Sequence, residues 1–232
     1  MSDETALVFQ DIVCGYGDTM VVRGVSARVD SGHVLGIVGR NGVGKSTLMK
    51  ALAGFLPLHR GSVRWRGRDL ADVPTHARLS TGVAYAPQEN VVFGELSVAE
   101  NLWLHLPDRR ATRYDAAMKA FPRLGERLRQ RAGLLSGGER KLLSFARTLG
   151  LEAPLSLLDE PTEGVQPENI EHMARLVGAA TARGHAFVVV EQNLGFVERV
   201  ADCVVVLDHG ECVLQGSPRE LGRALLERHL TV

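Results

Sequence analysis

Apolar positions recur along this chain in two rhythms. Residues 7–38 read as three short strands, Leu7–Val13, Val21–Val29 and Val34–Val38, broken at Gly15-Tyr16-Gly17 and Asp30-Ser31-Gly32. A helix follows Gly44 and ends near Gly54. Ser62–Trp65 is a strand that turns at Arg66-Gly67, and Val83–Ala86 is another, stopped by Pro87. From about 95 to 150 the texture turns helical. There Ser97-Val98-Ala99-Glu100 has the spacing of a capping box and opens a helix through Leu104. Leu155–Leu158, Ala186–Val190 and Cys203–Leu207 are continuous apolar runs, which suits parallel strands covered on both faces. Pro167 sits at a first helical turn and starts a helix over 168–183. Ser217, Pro218 and Glu220 supply the cap, the N1 proline and the capping glutamate of the last helix. The class is α/β, with a mixed sheet layer first and a helical insertion in the middle.

Charge and composition narrow the function. The 232 residues carry 27 Lys+Arg and 27 Asp+Glu. A net charge of zero argues against an open basic surface for nucleic acid. The three cysteines, Cys14, Cys203 and Cys212, are odd in number and lack C-x-x-C spacing, which argues against a disulfide framework or a zinc site. None of the eight histidines has ligand spacing; His185 and His209 read as turn or strand-end residues. The start, Met1-Ser2-Asp3-Glu4-Thr5, is acidic and polar, unlike a secretion signal. No run approaches the ~20 apolar residues of a membrane span. A soluble, cytoplasmic chain is the expectation.

Candidate chemistry starts at Gly39-Arg40-Asn41-Gly42-Val43-Gly44-Lys45-Ser46, a G-x-x-x-x-G-K-S run between an apolar strand and a helix. Glycines let the backbone wrap a phosphate with its N–H groups turned inward, and the helix N-terminus adds positive potential. Lys45 then reaches the β- and γ-phosphates, and the Ser46 hydroxyl is a ligand for Mg²⁺. The strand Leu155–Leu158 ends in Asp159-Glu160. Asp159 can hold the magnesium shell, and Glu160 can orient or deprotonate an attacking water.

Leu135-Ser136-Gly137-Gly138-Glu139 precedes a helical run to about Leu149. Ser136 and Glu139 have capping-box spacing, and the two glycines bare N–H groups for an anion. Ser136 lies twenty-three residues ahead of Asp159, an arrangement a helix cap alone does not explain.

With the three motifs in this order, the sequence resembles the ATP-binding cassette (ABC) ATPases over essentially its whole length. The resemblance implies one domain over 1–232: a P-loop ATPase core from 1–88 and 151–232 that includes an N-terminal antiparallel β-subdomain, and a helical subdomain over 89–150. It implies ATP and Mg²⁺ as cofactors. Asn41, Gly42, Gly44, Lys45, Ser46 and Thr47 would hold phosphate. Ser136, Gly137 and Gly138 would contact the γ-phosphate of ATP held by a second ATPase subunit, identical or paired. Tyr16 matches the aromatic that stacks on adenine. Gln88 matches the glutamine that reaches magnesium and the attacking water, so Ser46, Gln88 and Asp159 form the implied metal set. Glu160, Gln88, Gln192 and Lys45 form the implied catalytic set.

Two positions depart from the family pattern. Gln192, in Val190-Glu191-Gln192-Asn193, stands where a switch histidine is usual; it can hydrogen-bond a phosphate but cannot carry a proton. Gln166 stands where most relatives have aspartate. The Val-Glu-Gln-Asn run is similar to one of the paired ATPases of branched-chain amino-acid importers, and Glu160–Pro167 is more like the urea and short-chain amide importers. The implied partners are membrane-spanning permease subunits and, indirectly, a substrate-binding protein, with no nucleic acid. The place implied is the inner face of the cell membrane. Val91, Val92 and Phe93, after Gln88, are expected at the edge that receives a membrane subunit. Alternatives are an exporter or lipopolysaccharide-type ATPase, and a soluble cassette acting on ribosomes or DNA. The 48-residue step from Gln88 to Ser136 is too short for the long insertion of the latter.

Overall fold

The computed structural model describes residues 5–89, 91–104, 106 and 111–230, so Met1–Glu4 and Asn90 lie outside the described residues. The chain begins with a long hairpin, β1 (Thr5–Tyr16) and β2 (Thr19–Asp30). Pairing continues through Gly15↔Met20 and Tyr16↔Thr19, so the turn is Gly17-Asp18 and the strand does not stop at Gly15 as its sequence suggests. The cause is steric: a Cβ at Gly15 would meet Thr19 O at 1.9 Å, so this glycine serves close strand approach instead of a turn. Next come β3 (Val34–Val38) and α1 (Lys45–Leu52). After them, β4 (Arg60–Trp65) and β5 (Arg68–Asp69) extend the hairpin into an antiparallel sheet of order β2-β1-β4-β5.

The second sheet starts at β6 (Val83–Ala86). The chain then passes through α2 (Val98–Trp103), α3 (Asp115–Ala120), α4 (Pro122–Glu126) and α5 (Gly137–Gly150). It returns as β7 (Leu155–Asp159), α6 (Pro167–Thr181), β8 (Ala186–Val190), α7 (Leu194–Val200) and β9 (Cys203–Asp208). The sheet order is β10-β9-β3-β8-β7-β6, parallel except for β10 (Glu211–Gly216), which turns back antiparallel to β9. β10 was not foreseen, because its burial alternates weakly and only one position faces a packed layer. The expected last helix is two, α8 (Pro218–Leu221) and α9 (Arg223–Arg228), broken where Gly222 takes φ 73°.

β3, β7 and β8 are buried at every position, which is why their sequences are unbroken apolar runs. One face of the sheet packs Leu35, Ile37 and Val188 on Leu48, Met49 and Leu52 of α1 and on Phe9, Ile12 and Trp65 of the first sheet. The other packs Leu158, Phe187 and Val189 on Leu142 and Phe145 of α5 and Met173 and Val177 of α6. Each such side chain contributes about 1.5–3 kcal/mol on burial. The strand ends β3, β7 and β8 are thereby fixed side by side, and the loops leaving them carry the candidate chemistry.

Candidate nucleotide site

The loop after β3 needs its glycines. Gly39, Gly42 and Gly44 have φ of 154°, 81° and 105°, and a Cβ on Gly39 would meet Leu207 O at 2.3 Å. Gly44 caps α1 without any side-chain hydrogen bond, so the first-turn N–H groups remain for a ligand. Lys45 folds back over the loop: its Nζ donates to Gly39 O at 2.9 Å and Arg40 O at 2.8 Å. It also lies 3.8 Å from Glu160 Oε1. Burial pushes the Lys45 pKa down, opposed by Glu160 and Asp159.

Ser46 Oγ donates to Asp159 Oδ1 at 3.0 Å and lies 3.4 Å from Gln88 Oε1. Asp159 Oδ2 is buried with no hydrogen-bond partner. Burial pushes the Asp159 pKa up to about 6. An orphaned carboxylate oxygen beside a hydroxyl and an amide oxygen is an all-oxygen set of the kind Mg²⁺ takes, so these residues fit the ion. Thr47, also implied for phosphate, is buried in the same turn of α1, and its carbonyl faces Cys14 Sγ at 3.9 Å.

Glu160 follows β7 in the left-handed region, φ 46°, a conformation that costs a non-glycine residue roughly 1–2 kcal/mol. Both carboxylate oxygens are held: Oε2 accepts from Gln88 Nε2 at 2.8 Å, and Oε1 from Gln192 Nε2 at 2.9 Å. Gln192 Nε2 also donates to Asn41 Oδ1 at 2.6 Å, joining the loop after β8 to the phosphate loop. Tyr16 lies half-exposed at the end of β1, its hydroxyl 3.5 Å from Lys50 Nζ.

Ser136, Gly137 and Gly138 are elsewhere. Ser136 Oγ accepts from Glu139 N at 3.3 Å, and Glu139 Oε2 accepts from Ser136 N at 3.0 Å, the capping box its sequence predicts. Arg127 Nη1 donates to both oxygens of Glu139, at 2.9 and 3.1 Å. These residues line a cleft of about 930 Å³, walled by 119–124 and 163–172, that contains no residue of their own phosphate loop. Gln166 is exposed on the rim of that cleft.

Two groups were missed in the sequence. Glu191, 2% exposed, accepts from the N–H groups of Thr162 at 2.8 Å, Gln192 at 3.1 Å and Asn193 at 3.2 Å, and so ties the loop after β7 to the loop after β8. Its signal was there: an acidic residue closing a wholly apolar strand must find donors. The second is Lys141, described below. Val91 is buried and its carbonyl accepts from Arg147 Nη2 at 2.9 Å, so it packs inward and does not form an edge; only Phe93 of the three apolar residues is largely exposed. Beside it runs a groove of about 550 Å³ lined by Phe55, Arg78, Leu79, Tyr85, Pro87 and Arg147.

A glycine loop opening a helix, a lysine and serine in its first turn, and a carboxylate pair at the end of another parallel strand of the same sheet define a P-loop ATPase. Residues 22–163 match the family described as ABC transporter. The chain belongs to that family, as an ATPase subunit whose hydrolysis is coupled to transport. It is 34% identical over 224 residues to the high-affinity branched-chain amino acid transport ATP-binding protein BraG of Pseudomonas aeruginosa, covering 95% of this chain and 94% of that protein. It is 32% identical to the lipopolysaccharide export system ATP-binding protein LptB of Acidithiobacillus ferridurans, over 91% of this chain and 90% of that one. Among solved structures, the ATP-binding subunit of an ABC transporter superposes with a TM-score of 0.84 at 29% identity, covering 95% of this chain and 93% of that one.

Proposed function

We propose that this chain energises uptake of branched-chain amino acids or of urea and short-chain amides through separate permease subunits. It would work as a pair of ATPase subunits at the inner face of the membrane. The observation that carries the ATPase part is the Glu160 carboxylate, held by Gln88 on one oxygen and Gln192 on the other, 3.8 Å from Lys45.

The loop N–H groups of Asn41, Gly42 and Gly44–Thr47 bind the phosphates of ATP with Lys45, and Tyr16 stacks on adenine, worth roughly 1–3 kcal/mol. Ser46, Gln88 and Asp159 would hold Mg²⁺, which when bound neutralises charge on the β- and γ-phosphates. Glu160 accepts the proton of the attacking water as the new O–P bond forms and the bond to the β-phosphate oxygen breaks. Gln88 and Gln192 keep its two oxygens pointed at the γ-phosphate. Ser136, Gly137 and Gly138 serve the γ-phosphate on the second subunit. In support, Ser136 and Gly137 stand exposed and Gly138 partly buried at a helix N-terminus, in a cleft that no described residue of their own phosphate loop lines. The helical part, 89–150, meets the core, 1–88 and 151–232, along the groove of Phe55, Tyr85 and Arg147, where a permease segment would seat.

Importer direction and amino-acid substrate rest on the likeness to BraG and on Val190–Asn193; the likeness to LptB supports export instead. The test is reconstitution with candidate permease pairs in vesicles. Stimulation of ATP hydrolysis by a leucine-loaded binding protein supports amino-acid import, and by an amide-loaded one the second importer substrate. Stimulation only by lipopolysaccharide on the inner leaflet contradicts import.

A further inference from the structure

Lys141 lies in the second turn of α5 with its side chain 11% exposed. An ammonium has three N–H groups, and this one meets two segments of chain, the loop after β6 and the loop after β7. Nζ donates to Gln88 O at 2.8 Å and to Glu160 O at 3.1 Å, and it pairs with Glu163 Oε2 at 3.3 Å. The first two partners are the residues whose side chains meet at 2.8 Å over the phosphate loop. One cation thus fixes the backbone beneath both. At Glu160 it also holds the carbonyl of a left-handed residue whose N–H donates to Val190 O at 2.9 Å. Without Lys141, that strained peptide loses its hydrogen bond to α5 and its carbonyl keeps only the 3.3 Å bond from Glu163 N, so the carboxylate is less firmly aimed.

The start of α5, one turn before Lys141, makes this more than local support. Its N-terminus is Ser136-Gly137-Gly138, clamped to α4 through Arg127 and Glu139. Gly138 abuts the loop after β7: a Cβ there would meet Gly164 O at 2.6 Å. A shift of the helix start therefore reaches Glu160 by a rigid route about one turn long.

We infer that Lys141 is a positioning residue that couples the placement of Ser136–Gly138 to the aim of the Glu160 carboxylate, and so links the two nucleotide sites of a pair. The link between sites rests on the two-subunit reading above; the aiming of Glu160 does not.

The test uses the full chain carrying Lys141→Met, Lys141→Arg and Ser136→Ala, alone and combined. Lys141→Met should lower kcat by about 100-fold, the scale of a misplaced reacting group, with KM for ATP and calorimetric MgATP affinity within about threefold. Lys141→Arg, which keeps the charge and more than three donors, should recover most of kcat. The Ser136→Ala/Lys141→Met double variant should be no slower than the slower single, because both act on one element. A kcat for Lys141→Met within about threefold of the parent overturns the inference. So does an equal loss in the Met and Arg variants, or parallel loss of nucleotide affinity, since both describe general packing. Multiplied losses in the double variant refute the coupling while leaving the aiming of Glu160. If Lys141→Met loses its cooperative melt, the same readings on Lys141→Gln decide. Normal ATP-driven association of Ser136→Ala would sink the two-subunit reading alone, and the Lys141→Met kcat deficit would stand apart from it.

Discussion

Gln192 Nε2 stands 2.9 Å from Glu160 Oε1 and donates to it, from the position where related ATPases usually carry histidine. The same nitrogen also donates to Asn41 Oδ1 at 2.6 Å, so the amide bridges the acidic strand end and the phosphate loop. An amide makes this bridge in one protonation state at any working pH. Gln192→His should therefore keep hydrolysis but give kcat a new inflection near pH 6.5, where imidazole titrates. A pH–rate profile of the variant superimposable on that of the parent would count against a contact to the reacting groups.

Glu160→Gln should leave MgATP binding within a fewfold and lower kcat by about 10²–10⁴, the contribution of a positioned base. The substitution also sets amide against amide, because Gln88 and Gln192 both donate to this side chain. Steady-state hydrolysis together with equilibrium binding checks it; undiminished turnover removes Glu160 from the mechanism.

Lys45→Ala should weaken ATP binding as well as hydrolysis. Loss of charge-assisted hydrogen bonds of about 1.5–3 kcal/mol corresponds to roughly 10–100-fold in affinity. Calorimetry with unaltered affinity would mean that the loop after β3 does not hold the phosphates.

Glu139 gives a pH dependence of stability. Hydrogen bonds from Ser136 and the charge of Arg127 hold its carboxyl below the ordinary 4.5. The stabilisation is therefore present above pH 4.5 and is lost as pH falls through the lower, folded value. Glu139→Gln should melt below the parent at pH 7, and the gap should narrow as pH falls below 4.5 through the lower, folded value. A gap that widens in acid contradicts the assignment.

Much of this site was legible because its chemistry sits at strand ends. Val34–Val38, Val83–Ala86 and Ala186–Val190 were each read to the residue, since strands buried on both faces leave no polar position to blur their limits. Gly39–Ser46 and Asp159-Glu160 follow from such strands directly. Gly15 misled because a glycine needed for close approach looks the same in sequence as one needed for a turn. The distant partners of Lys141 and Glu191 were illegible: Gln88 O, Glu160 O and Thr162 N are backbone groups far along the chain, and backbone groups carry no residue identity. Val91 was misplaced because an apolar residue after a loop serves core and interface equally until its neighbours are known.

The site proposed above is shared between two chains, with Ser136 acting on the nucleotide that the other chain's Lys45 holds. Ser136→Ala alone should cost about 1 kcal/mol of stability as a lost cap, and should also abolish ATP-driven association. The most direct measurement mixes Ser136→Ala chains with Lys45→Ala chains and follows ATP-dependent association and hydrolysis. Each mixed pair then has one site lacking both groups and one site complete. Activity in the mixture should exceed that of either variant by itself. No gain over the separate variants, with mixed pairs demonstrated by pull-down, would contradict it.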